Sequence, residues 1–223
     1  MNNEIKEFKP THRPKLYTLG EEIMNAITHG IGAGLGIAAT VLLIIRAAFR
    51  ADAMAVSAVS IYGASLIILY TMSTLYHSLT GPRAKRVFQI FDRCTIFILI
   101  AGTYTPYTLI SLRGWIGWTI FGVLWGITVL GIIFNAISIE KSDKLSLISY
   151  VIMGWCIVLA LKPTIEALGF WGMFFVLVGG IFYTVGIIFY KNKNIRYMHS
   201  VWHLFVLAGS IFQFFSVYFW VLK

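Results

Sequence analysis

His199 and His203 stand four residues apart in RYMHSVWHLFVLAGS, just inside a long apolar run. On a helix that spacing puts both rings on one face, so their nitrogens can converge on one metal ion if another element supplies a third ligand. His77 is the natural third; it follows Ser73 by four residues in STLYHSLTGP, at the end of another apolar run. Zinc accepts nitrogen ligands readily, is redox-silent, and in a catalytic site leaves its fourth position to water. Three neutral imidazoles leave the full dication charge in a low-dielectric place, which acidifies bound water towards neutrality. Hydrolysis also needs a carboxylate to orient that water and take its proton. Asp92, about one turn into RVFQIFDRCTIF, is the candidate as general base or water-holding outer ligand. Ser73 is placed to donate to an oxyanion or to steady a ligand.

Each of these residues also has an ordinary explanation. Interfacial histidines can face headgroups, Asp92 can pair with a basic neighbour such as Arg93, and Ser73 can bond its own helix backbone. The first apolar run opens GEEIMNAITHG, in which Glu22, Asn25 and His29 share a face at spacings of three and four. Glu22 there reads as a carboxylate favoured by the helix macrodipole, Asn25 and His29 as groups that bridge helices, His29 also as an alternative ligand, and all three as candidates to support a metal site from behind its ligands. His12 belongs to a basic tail and reads as solvated.

The elements that must position these groups are membrane helices. Of 223 residues, 58% are hydrophobic and 12% charged, a polytopic membrane balance. Seven apolar segments emerge, at 21–45, 54–79, 87–111, 115–139, 145–161, 169–190 and 198–221. The expected organisation is a basic tail over 1–20 and one all-α, seven-helix membrane domain over 21–223. On the side of the N-terminus lie Lys6, Lys9, Arg13, Lys15, Arg83, Lys85, Arg86, Lys141, Lys144, Lys191, Lys193 and Arg196; Arg46, Arg50, Arg113, Lys162 and Lys223 lie opposite. The positive-inside rule then puts the N-terminus in the cytoplasm and the C-terminus outside. Under that topology Glu22, Ser73, His77, Asp92, His199 and His203 all fall in the cytoplasmic third of the membrane, His203 roughly 8 Å below the start of its helix.

Several classes are excluded or disfavoured. The net charge of +9 is mostly topology and attraction to anionic headgroups, so no nucleic acid is implied. No Asp, Glu, Lys or Arg sits at mid-depth, as the runs from Ile31 to Ile45, Ala53 to Tyr76 and Cys94 to Leu112 illustrate. That weighs against an ion-coupled transporter, and a last span without lysine before Lys223 weighs against a retinal protein. Cys94 and Cys156 lack paired spacing and read as small buried residues rather than a disulfide or thiolate site. The first apolar segment follows a polar tail and is too long for a signal peptide. Gly30, Gly32, Gly34 and Gly36 suggest close helix approach, Pro106 a kink repaired by neighbouring threonines, and Trp115, Trp118, Trp171 and Trp220 an interfacial belt.

Glu22, Asn25 and His29, then STLYH, Asp92, GTYTPY and HSVWH form an ordered set that resembles the bacterial hemolysin III branch of the progestin and adipoQ receptor family. The resemblance covers essentially the whole chain. It implies a plasma-membrane protein of seven helices with zinc near the cytoplasmic face, held by His77, His199 and His203, with Asp92 and Ser73 beside it. The wider superfamily includes alkaline ceramidases, which suggests hydrolysis of a lipid amide or ester. Bacterial members are named for hemolysis and connected with membrane lipid homeostasis. Three functions therefore stand as expectations: a zinc-dependent lipid hydrolase, a non-enzymatic receptor-like sensor or regulator with structural zinc, and a pore-forming cytolysin. The expected partners are membrane lipids, with no soluble protein partner implied.

Overall fold

The computed structural model describes residues 17–137, 139–192 and 194–223. Most of the expected basic tail, His12 included, lies outside the described residues, as do Lys193 and the Lys141 side chain. The described chain is helical, with no strand among the described residues: α1 (Leu19–Arg50), α2 (Ala53–Ser78), α3 (Pro82–Pro106), α4 (Gly114–Ile137), α5 (Ile139–Gly154), α6 (Leu161–Lys191) and α7 (Met198–Ser216). A π-helical turn extends α3 over Tyr107–Ser111 and another extends α7 over Val217–Val221, while a 3₁₀ turn at Cys156–Ala160 joins α5 to α6.

Local chemistry sets the helix starts. Thr18 and Glu21 form a reciprocal capping box at α1, the Thr18 hydroxyl accepting from the Glu21 amide at 3.3 Å and the Glu21 carboxylate from the Thr18 amide at 2.9 Å. Asp52 caps α2 through the Ala55 amide at 2.9 Å, and Pro82 opens α3 at a position whose amide needs no partner.

Among the described residues, six runs are long and apolar enough to cross a membrane: Leu19–Arg50, Ala53–Ser78, Pro82–Ser111, Gly114–Ile137, Ser142–Lys191 and Met198–Val221. The molecule is an all-α, multi-pass membrane protein. The fifth run contains two of the seven expected segments, 145–161 and 169–190. Inside it Gly169 departs from the helical path with φ 69° and ψ 179°, a conformation open to glycine without a Cβ clash. Tyr190 near the run's end donates to Asp143 near its start at 3.3 Å, and the Trp155 indole donates to Thr184 at 3.0 Å. The start of this run therefore packs against its end.

Small residues bring α1 against α2. A Cβ on Gly32 would fall 2.6 Å from the Tyr70 ring, and one on Gly36 would lie 3.5 Å from Leu66. Gly34 points away, with nothing within 4 Å of a built Cβ, so only part of the glycine stripe serves close approach. Deeper in the bundle, hydroxyls rather than charges tie the helices. Tyr70 donates to Ser210 at 2.7 Å, Tyr183 lies 2.9 Å from the same hydroxyl, and Tyr107 donates to Gln213 at 2.8 Å. Thr105 and Thr108 donate to Ala101 and Tyr104 carbonyls around Pro106, and the strain resolves into the π turn that follows. Cys94 and Cys156 are free thiols. At the end of the bundle where α1 finishes, Arg113 bonds Asp52 at 2.8 Å and Arg46 reaches the Leu222 carbonyl at 3.0 Å.

The two glycines provide a contrast. Gly32→Ala forces Tyr70 to shift and is expected to cost about 1–3 kcal/mol, read as a lower unfolding temperature in detergent, whereas Gly34→Ala should leave that temperature unchanged.

Candidate metal centre

α1, α3 and α7 begin, and α2 ends, at the same end of the bundle, so residues distant in sequence meet there. His77 occupies the last turn of α2; His199 and His203 occupy the first two turns of α7. One ring nitrogen from each lies within 4.8 Å of the others, a group that could hold a metal ion. His77 and His203 are buried and His199 is partly covered.

Hydrogen bonds decide which nitrogen each ring offers. Glu22 Oε2 lies 2.7 Å from His77 Nδ1, and a carboxylate only accepts, so Nδ1 carries the proton. The Asn25 amide nitrogen, 3.4 Å from the same Nδ1, is then a contact rather than a donor to it. His77 Nε2 is left with its lone pair, buried and without a hydrogen-bond partner among the described residues. An orphaned imidazole nitrogen in apolar surroundings is costly unless something binds it, and a cation is the natural occupant. His203 follows the same logic. Its Nδ1 is 3.2 Å from the Asn25 carbonyl and 3.1 Å from the Thr28 hydroxyl, which directs the Nε2 lone pair away from α1. The residues present therefore fit a metal held by nitrogen.

The α1 face supplies most of this support. Glu22 Oε1 also pairs with Lys85 at 2.7 Å, and Lys85 caps α2 through the Tyr76 and Leu79 carbonyls, each at 3.2 Å. Glu22 thus orients a histidine, while the helix-capping role belongs to Glu21. Asn25, fully buried, accepts from Ser200 at 2.6 Å and joins α1 to α7. His29 stacks flat on His203, with ring centroids 3.5 Å apart and an interplanar angle of 12°. It stands outside the group of three, and both its nitrogens are buried without a hydrogen-bond partner among the described residues.

Asp92 also stands outside that group and lies beside Ser73 within electrostatic reach of His77. Its neighbour Arg93 turns to Asp143 at 3.3 Å, so the adjacent cation is engaged elsewhere. Ser73 is fully buried, and its hydroxyl makes no hydrogen bond of good geometry among the described residues, even with Asp92 alongside. Thr74 and Ser78, by contrast, bond back to their own helix at 2.7 and 2.8 Å. The ordinary role expected of a helix serine is not the one Ser73 plays.

A mostly apolar cavity of about 110 Å³ lies between α3, α5, α6 and α7; none of the three histidines lines it, and Tyr190 and Trp202 stand between it and them. Tyr190 and Trp202 line it, and the Tyr190 ring also packs 6.1 Å from His199. Arg93, Asp143 and Ser146 add polarity to a wall otherwise made of residues such as Ile96, Leu147 and Val206.

Sequence reasoning missed Tyr17, Thr28, Lys85 and Ser200. Thr28 and Ser200 are direct neighbours of His29 and His199, a signal available in AITHG and MHSV but indistinct from ordinary helix hydroxyls. Lys85 had been absorbed into the charge balance.

A family profile described as haemolysin-III related matches residues 17–214. Hemolysin-3 of Bacillus cereus is 48% identical over 202 residues, which cover 91% of this chain and 92% of that protein. A Hemolysin-3 homolog of Bacillus subtilis (strain 168) is 43% identical over 208 residues, covering 93% and 98%. The human monocyte to macrophage differentiation factor is similar at 25% identity over 164 residues, covering 71% and 68%. With a family match over nearly its whole length and relatives this similar, the chain belongs to the haemolysin-III-related family of membrane proteins.

Proposed function

We propose that this protein is a zinc-dependent hydrolase of a membrane lipid amide or ester. The observation that carries the reading is the meeting of three converging histidines with a carboxyl and a serine hydroxyl, with an apolar cavity beyond Tyr190 and Trp202. His77, His199 and His203 would hold the ion. Zinc supplies Lewis acidity there, polarising a carbonyl and acidifying water. Glu22 keeps His77, and Asn25 and Thr28 keep His203, in the tautomer that offers Nε2. Asp92 takes the proton from the attacking water and returns it to the leaving nitrogen or oxygen, a transfer that needs one carboxyl placed near the histidines. Ser73, with its hydroxyl uncommitted to its own helix, donates to the oxygen that gains charge. The cavity takes part of an acyl chain, and the partners are membrane lipids.

The same reading places seven crossings in the plasma membrane, N-terminus in the cytoplasm and C-terminus outside, with the centre on the cytoplasmic side. Support comes from the 50-residue run Ser142–Lys191. Fully helical it would extend about 75 Å, far more than the roughly 30 Å of hydrocarbon, and Gly169 provides the reversal. The basic residues are concentrated in the segments assigned to the cytoplasm.

A second reading is favoured by the way the centre bridges α2 and α7 with α1 clasped over both: a structural zinc in a non-enzymatic sensor or regulator of membrane homeostasis. Direct cytolysis is disfavoured, since a chain of long apolar spans does not leave its cell readily as a soluble toxin.

Elemental analysis of the purified protein should find about one zinc per chain, lost in the double variant His199→Ala with His203→Ala and retained in Asp92→Asn. Release of fatty acid from a panel of acyl amides and esters should vanish in Asp92→Asn. Zinc without turnover across the panel would favour the structural reading, and no bound metal in the wild type would sink both. Glu22→Gln keeps the shape but weakens the acceptor for His77, and zinc affinity should fall by about 10–100-fold, measured by competition with a chromogenic chelator. In intact cells, a cysteine replacing Arg83 should resist a charged external thiol reagent while one replacing Ala51 reacts; the opposite pattern would invert the topology.

A further inference from the structure

Tyr17 stands ahead of α1, yet its ring is largely covered. It meets the His77 ring edge-on at 5.6 Å between centroids and tilts over His199 at 5.1 Å. Its surroundings are Tyr76, Tyr190, Asp92 and Glu22, groups drawn from α2, α6, α3 and α1, so it sits at the end of the bundle where these helices converge on the histidines. Burial pushes its phenol well above the usual range, and the side chain is neutral.

The segment is held in this position by specific contacts. The Thr18–Glu21 capping box fixes the direction in which the chain enters α1. The other Glu21 carboxylate oxygen accepts from the Tyr197 amide at 3.1 Å, in the turn just before α7. Tyr197 adopts φ 63°, a left-handed conformation that a non-glycine residue takes only when its surroundings over-determine it. Its hydroxyl lies 2.8 Å from where a Cβ on Gly20 would stand. The start of α1 is thus clasped to the start of α7, and the clasp sets Tyr17 over two of the three histidines.

We propose that Tyr17 is the access-determining residue of the histidine centre: a ring that closes the centre against aqueous solutes at the end of the bundle and leaves the apolar cavity behind Tyr190 and Trp202 as the route for ligands. This rests on the hydrolase reading in one respect. It selects for lipid chains arriving from the membrane interior and against water-soluble acyl substrates of the same chemistry. The occlusion itself needs no metal.

The test therefore begins without metal. Ser73→Cys, nearly isosteric and deep in the centre, is made in the full chain and stripped of metal, and labelling of residue 73 by a negatively charged methanethiosulfonate is followed by peptide mass spectrometry. Labelling should be slow with Tyr17 present, at least tenfold faster with Tyr17→Ala, and slow again with Tyr17→Phe, since the ring and not the hydroxyl does the covering. Gly20→Ala displaces Tyr197 without touching the lid and should speed labelling to a lesser degree, which keeps the test alive if Tyr17→Ala does not fold. In the zinc-loaded protein with native Ser73, the hydrophilic chelator EDTA should strip Tyr17→Ala much faster than wild type. The membrane-soluble chelator 1,10-phenanthroline should strip both at similar rates. Equal labelling of residue 73 with and without the Tyr17 ring would overturn the proposal whether or not the protein proves to bind zinc. Loss of zinc binding alone would count against the hydrolase reading and leave the lid standing.

Discussion

A carboxylate on an imidazole, Glu22 to His77 at 2.7 Å, is the contact on which this end of the bundle depends. An ionisable group near the hydrocarbon must find its partner within the protein, because lipid offers none. Glu22 satisfies His77 with one oxygen and Lys85 with the other, and Lys85 in turn closes the carbonyl end of α2. One side chain thus sets the tautomer of a histidine, holds the lysine that closes α2 and joins α1 to α2. Asn25 does the corresponding work on α7, through Ser200 with its side chain and His203 with its carbonyl. The polar stripe of α1 is the frame in which the histidines of two other helices acquire defined orientations.

That frame is accurate only because the helices approach closely beneath it. Gly32 and Gly36 let α1 lie against α2, and the Tyr70 ring fills the space above Gly32 while packing edge-on against His29 at 5.0 Å. His29 in turn lies flat on His203. The packing layer and the histidine layer are therefore continuous, and a change in one glycine propagates through two rings to a candidate ligand. Further down, hydrogen bonds of Tyr70 and Tyr183 with the Ser210 hydroxyl and from Tyr107 to the Gln213 amide oxygen hold α2, α6, α7 and the turn after α3 in register without placing a charge at mid-depth. Uncharged hydrogen bonds cost less to bury than ion pairs, which reconciles the apolar runs with a bundle of specific packing.

The parts legible from sequence were those governed by periodicity. His199 and His203 share a helical face whatever surrounds them, and apolar runs of span length announce membrane helices, so that pair and the all-α architecture followed from spacing, whereas His77 depended on which side of the membrane its span ends. Glu22 was harder, because the pattern Thr18-x-x-Glu21 had to be weighed first. Once Glu21 is assigned to the capping box, Glu22 is released for another partner. Lys85 reads from sequence as a topological charge and Arg93 as a neighbour that could pair with Asp92, yet each has a specific carboxylate elsewhere, Glu22 and Asp143. Charge sums carry no information about partners. The glycines illustrate a further ambiguity: in GIGAGLG successive glycines two apart point to different sides of a helix, so Gly32 and Gly36 could pack only if Gly34 did not. Tyr17 was invisible because it precedes the periodic region, and its position follows from contacts made across the whole length of the chain.

His29 bears on the choice between a metal that catalyses and one that only staples helices. A structural zinc is usually closed by a fourth protein ligand, whereas a catalytic one keeps a position for water or substrate. A fourth imidazole is present in this layer, buried and with both nitrogens uncommitted among the described residues. It lies parallel to His203 rather than facing the point where the other rings converge. Rings stacked at 3.5 Å send their lone pairs side by side, not to a shared centre, so His29 fixes the plane of the His203 ring without joining the group of three. Asp92 and Ser73 occupy the neighbouring space instead, one suited to move a proton and the other to donate a hydrogen bond. Under the proposed zinc reading, a fourth imidazole turned aside leaves a position open for water or substrate, which supports the hydrolase over the structural alternative.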